Sequence, residues 1–156
     1  MDILSRNRQR ELFGELGFTL PTESGADEIV ATFRRQGKES LYFFATAILQ
    51  WTKVRKVPHF EVCNFIQQVP PQFPDRKSRK VILIPRDCYK STVGSKSFPL
   101  WVLIQDDFCG LPGREHRILL WSHSSENAKK QIKSISQQIE RNQILQWLYP
   151  EIIPDL

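Results

Sequence analysis

The segment Pro85-Arg86-Asp87-Cys88-Tyr89-Lys90-Ser91-Thr92 concentrates residue types that handle phosphate. A lysine followed by two hydroxyl residues at a helix start, just after an apolar strand, is the arrangement of a phosphate-binding loop. A helix N-terminus offers free N–H groups and the positive end of its dipole. Lys90 would bring a full charge to the β- and γ-phosphates, and Ser91 would hold the magnesium ion that bridges them. The general pattern G-x-x-x-x-G-K-[ST], aligned on Lys90, puts Ile84 and Tyr89 where two glycines stand. Those glycines let the backbone approach phosphate and adopt torsions that a side chain resists. By pattern alone the match fails.

Other groups carry weaker signals. His59 and Cys63 stand four apart and share a helix face, but two ligands do not make a zinc site, and structural roles are expected of both. His123 follows a second apolar run; it would reach a nucleotide from there, or cap the next helix beside Ser124. The three cysteines, Cys63, Cys88 and Cys109, include no Cys-x-x-Cys pair, so neither a disulfide framework nor a structural zinc site is expected. The basic run Arg76 to Lys80 contains no interleaved aromatics and reads as a solvated surface rather than a base-stacking platform.

The elements that must position these residues follow from periodicity and punctuation. Ser24-x-x-Asp27 resembles a capping box, opening a helix from Ala26 that ends near Gly37. A second helix, Lys38 to about Lys53, carries Leu41, Phe44, Ile48 and Trp51 as one apolar stripe, and these aromatics with Tyr42 and Phe43 are expected in the core. A third begins at Pro58 and runs through Ile66, halted by Pro70, Pro71 and Pro74. Val81-Ile-Leu-Ile84 and Arg117-Ile-Leu-Leu-Trp121 read as strands buried on both faces. Between them a helical segment from Lys90 to about Asp106 contains Pro99, which must kink it or begin a new helix. Ser124 or Ser125 caps a long helix with Ala128, Ile132, Ile135 and Ile139 inward and Lys129, Lys130, Lys133, Glu140 and Arg141 outward. A last helical turn spans Ile144 to Leu148.

Helices followed by strand–helix–strand–helix predict an α/β protein built on a parallel sheet. Residues 1–25 form a polar arm, 26–75 a helical lead-in and 76–156 the first part of the α/β core, one domain with the lead-in. The 156 residues hold 40% hydrophobic and 25% charged side chains, which argues against intrinsic disorder. No apolar run is long enough for a membrane span, and the charged start lacks the core of a secretory signal. A soluble, intracellular protein is expected. The net charge of +5 suits contact with polyanions.

The run Arg79 to Thr92 resembles the nucleotide-binding segment of the large subunit of tailed-phage terminases, which often use a deviant loop of the form Pro-Arg-x-x-x-Lys-Ser/Thr. Ser40-Leu-Tyr-Phe-Phe44 and Pro58-His59-Phe60 are similar to that family's helical lead-in, and Ser97-Phe-Pro-Leu-Trp101 to the continuation after the loop. Arg117 to Ser122 with Asn127-Ala128, then Leu148-Tyr-Pro-Glu151, resemble later pieces in the same order. The resemblance implies a P-loop NTPase fold and an ATPase that drives double-stranded DNA into a viral capsid. ATP and Mg2+ would bind at Arg86, Asp87, Cys88, Tyr89, Lys90, Ser91 and Thr92, with Ser91 on the metal. Arg86 would be catalytic, its guanidinium acting on the γ-phosphate. Implied partners are the terminase small subunit, the portal protein and further copies in a homo-oligomeric ring, all in the cytoplasm of a bacterial host cell.

The family's second acidic motif, a strand ending Asp-Glu, has no counterpart, because the second apolar run ends Trp121-Ser-His123. Its nuclease half is missing as well. The chain therefore resembles only the first third of a terminase: an incomplete sheet protein, from a fragment, a split gene or a prophage remnant. A non-catalytic, basic nucleic-acid-binding protein is the alternative, and a small P-loop kinase a third reading.

Overall fold

A computed structural model describes residues 23–68, 80–85, 88–109 and 112–153. Helix α1 is Glu23–Glu39. Helix α2, Leu41–Phe43, continues as a π-helical stretch, Phe44–Ile48. Helix α3 is Lys56–Gln67, kinked at Val57. A second π-helical stretch, Thr92–Ser97, leads into α4, Phe98–Leu103. Helices α5, Ser125–Arg141, and α6, Gln143–Leu148, complete the set, with 3-10 turns at Gly113–Glu115 and Pro150–Ile152.

Among the described residues there is no strand and no sheet. This corrects the expectation of an α/β, parallel-sheet P-loop core. Residues 81–85 and 117–121 run without helix, but neither pairs with a neighbour. Burial shows why the apolar runs misled. A strand inside a parallel sheet is covered on both faces, whereas here helices cover one side only. Ile82 packs against the core, while Val81 and Leu83 are 77% and 88% exposed. Leu119 and Trp121 are similarly open, at 82% and 89%.

The core is assembled by helices. Leu41, Phe44, Ile48, Val93, Leu100, Leu145, Leu148 and Tyr149 are the largest of its fully buried side chains. The aromatic residues Tyr42, Phe43 and Trp51 pack around it, as the helical stripe implies. Helix α1 passes through Gly37 instead of ending there. A Cβ on Gly37 would lie 2.3 Å from the Tyr149 hydroxyl oxygen and 2.7 Å from Ile48 Cδ1. Glycine is needed at this position for close approach, not for a left-handed cap. Ser24 lies inside α1, so the capping-box reading also falls.

A helix leaves its last four carbonyls without internal partners; at the end of α1 the amide of the next residue serves one and tertiary contacts serve the other three. Ser40 N–H donates to Gln36 O at 2.9 Å. Trp101 Nε1–H donates to Gly37 O at 2.9 Å, and Gln105 Nε2 to Lys38 O at 3.2 Å. Gln67 Nε2 reaches Glu39 O at 3.4 Å. One helix end thus binds α3 and α4 into the same body.

The helix caps follow local signals, whereas Ile132, expected inward on α5, is 53% exposed, and the second helix stops at Ile48 instead of reaching Lys53. Ser124 caps α5, its hydroxyl accepting from Asn127 N–H at 3.3 Å. Asn142 caps α6 by accepting from Leu145 N–H at 2.9 Å, while its amide nitrogen donates to Ile48 O at 3.0 Å. Pro99 is the second residue of α4, just after the π-helical stretch. A proline lacks the N–H that a continuing helix needs, and the change of helix type falls where that donor would be missed.

Candidate functional site

Residues 80–85 lead into the turn that carries Cys88, Tyr89 and Lys90. Arg86 and Asp87 lie outside the described residues, as do residues 76–79 of the basic run. Lys80, the last of that run, is not simply solvated. Its ammonium donates to Ile66 O at 2.8 Å and also reaches the carbonyls of Phe65 and Gln68. A cation here satisfies the orphan carbonyls at the C-terminal end of α3 and meets the negative end of its dipole. Burial lowers the Lys80 pKa from its ordinary value.

Tyr89 has a φ of 47°, the left-handed region. Such torsions cost a side-chain-bearing residue about 1–2 kcal/mol, whereas glycine adopts them freely. Tyr89 occupies the position of the second glycine in the general phosphate-loop pattern. The backbone conformation that calls for glycine is therefore present although the glycine is not. Two contacts offset its cost: the ring sits 6.1 Å from that of His59, and Lys53 Nζ lies 5.8 Å from its centroid.

Lys90 follows at the first turn of a helix. Val93 N–H donates to Tyr89 O at 3.0 Å, so the amides of residues 90–92 precede the first intrahelical bond. The Lys90 side chain is exposed and folds back to Ile84 O at 3.2 Å. Ser91 is exposed and Thr92 half-buried. Lys53 adds positive charge beside the Tyr89 ring, while Lys96 Nζ lies 5.5 Å from the Trp51 ring centroid. Behind the turn, Ser97 Oγ donates to Thr92 O at 2.9 Å and stiffens the π-helical stretch.

His59 joins the site from α3. It is 4% exposed, and its Nε2 lies 3.1 Å from Cys88 O. Sequence reasoning singled out His59 as structural but gave no sign of this partner, because the contact spans 29 residues. Cys63, one turn on, is in the core, where burial raises its pKa from 9.0 to about 12. No group of three metal-ligating side chains occurs among the described residues. His123, just before the cap of α5, contacts Asn127 in that helix's first turn, Nε2 to Nδ2 at 3.2 Å.

The turn therefore brings together Cys88, Tyr89, Lys90, Ser91 and Thr92 with Lys53 and His59. An exposed ammonium, two hydroxyls and amides at a helix start make a donor set for an anionic oxygen ligand. Among the described residues, no helix is long and apolar enough to cross a membrane. Compared with protein-family models, curated proteins and solved structures, the chain matches none.

Proposed function

We propose that the turn around Lys90 binds ATP with magnesium, and that the chain is the N-terminal ATP-binding part of a viral DNA-packaging motor of the terminase type. The carrying observation is the left-handed backbone of Tyr89 immediately before Lys90. It gives this turn the local shape that phosphate loops obtain from glycine, with a lysine and two hydroxyls in the right order after it. The donor set fits a polyphosphate without a sheet behind it, since extended segment, turn and helix are all that the local geometry requires.

Lys90 is the residue that meets the β- and γ-phosphates, and the amides of residues 90–92 bind their oxygens. Ser91 supplies the hydroxyl for magnesium, whose charge offsets that of the phosphates when it is bound. Arg86 is assigned to the γ-phosphate on the resemblance. Hydrolysis and DNA translocation belong to a complete motor with an acidic motif. The activity proposed for these 156 residues is binding.

Equilibrium binding of ATP, with magnesium and with excess chelator, tests the reading. Lys90→Ala should weaken magnesium-dependent binding at least tenfold, the scale of one charge-assisted contact. Unchanged affinity removes Lys90 from the site. The exposed lysines of α5, Lys129, Lys130 and Lys133, favour a second reading as a nucleic-acid-binding surface. That reading expects salt-sensitive DNA binding that ignores both ATP and Lys90→Ala.

A further inference from the structure

His59 is one of two buried polar residues in the described core, and it is the one that faces the turn. A carbonyl oxygen only accepts, so Nε2 carries a proton and donates to Cys88 O at 3.1 Å. On the other side of the ring, Nδ1 lies 3.1 Å from both the N–H and the C=O of Arg55. It therefore has a partner whether it is bare or protonated. The ring spans from the start of α3 to the residue just before Tyr89, whose ring it also meets. Cys88 precedes a residue in a costly torsion. A fixed carbonyl at that point prevents the chain from relaxing to a cheaper one.

We propose that His59 is the positioning residue of the turn: its Nε2–H bond to Cys88 O holds Tyr89 left-handed and keeps Lys90 and the amides after it set for phosphate. This inference rests on the reading of the turn as a polyphosphate site. The role belongs to one ring nitrogen, so two amide substitutions separate it from a general packing role. Asparagine places an amide near Nδ1 and retains the Arg55 contact, but it is too short to reach Cys88. Glutamine extends an amide donor to the region of Nε2.

The test combines magnesium–ATP binding with hydrogen–deuterium exchange of the amides of residues 88–93, in the wild-type chain, His59→Asn and His59→Gln. In His59→Asn, exchange should quicken and ATP affinity fall by roughly fivefold to tenfold, the scale of one hydrogen bond. His59→Gln should restore both to within about threefold of wild type, which a loss of core packing would not allow. Quickened exchange with unaltered ATP affinity in His59→Asn overturns the positioning role alone. So does a glutamine variant that folds but exchanges faster and binds ATP more than about threefold weaker than wild type, and this arm stands even if the asparagine variant does not fold. Absence of ATP binding by the wild type overturns the phosphate reading and the role with it, while the exchange data still show whether His59 holds the turn.

Discussion

The helical core and the two extended apolar segments are built from similar residues and treat them oppositely. In the core, Leu145 and Leu148 from α6 meet Phe44, Ile48 and Leu100 from other helices, and all are fully buried. In residues 81–85 aliphatic side chains of the same kinds alternate between half-buried and open, and in 117–121 Leu120 alone is half-buried. The difference lies in what stands opposite each residue. A helix presents its stripe to several neighbours at once, whereas an unpaired extended segment rests one face on the helices and leaves the other bare. Apolar content thus reports the capacity for burial, and the topology decides whether burial happens.

Mutations sharpen this contrast. The largest effect should come from Leu145→Ala, which removes a fully buried side chain that its packed surroundings cannot replace. A loss of about 2–5 kcal/mol is expected in urea unfolding. Next comes Gly37→Ala. In most helices this change stabilises by about 1 kcal/mol through propensity. Here the new methyl would sit 2.3 Å from the Tyr149 hydroxyl oxygen, and overpacking of about 1–3 kcal/mol should reverse the sign. Combining it with Tyr149→Phe, which removes that oxygen, should recover part of the loss, and a double-mutant cycle reads the coupling.

The core also predicts a pH dependence. Cys63 has its pKa raised from 9.0 to about 12 in the fold. Above pH 9 the unfolded thiol ionises while the folded one keeps its proton, so the unfolded state binds fewer protons. Stability is fully present below that pH and falls by roughly 1.4 kcal/mol per pH unit as the folded pKa is approached. Burial raises the Tyr149 pKa in the same direction, from 10.0. Unfolding midpoints between pH 8 and pH 11 should therefore decline in the wild type, and Cys63→Ala should delay the onset toward the tyrosine range. The smallest effect belongs to the open segments: Leu119→Ser should change stability by less than about 0.5 kcal/mol. A large loss there would mean that the segment is packed after all.

Much of the helical structure was legible in the sequence because it rests on local signals. Ser124 and Asn127 lie three residues apart, and the stripe from Leu41 to Trp51 has helical spacing. The error over Gly37 had a physical origin: glycine marks both helix ends and close approaches, and only the position of Tyr149, far along the chain, distinguishes them. The apolar runs Val81 to Ile84 and Ile118 to Leu120 read as strands for a similar reason. Their composition is strand-like, and pairing depends on partners that the run itself does not encode. Within the candidate site, Lys90, Ser91 and Thr92 were found from spacing. The torsion of Tyr89 went against its residue type, and the bond from His59 to Cys88 joins segments with no shared pattern.

Backbone amide chemical shifts in a titration with magnesium–ATP test the account most directly. The account predicts perturbations concentrated at residues 88–93 and at His59, lost in Lys90→Ala. Perturbations confined to α5, or none at ATP concentrations that saturate ordinary nucleotide sites, would contradict it.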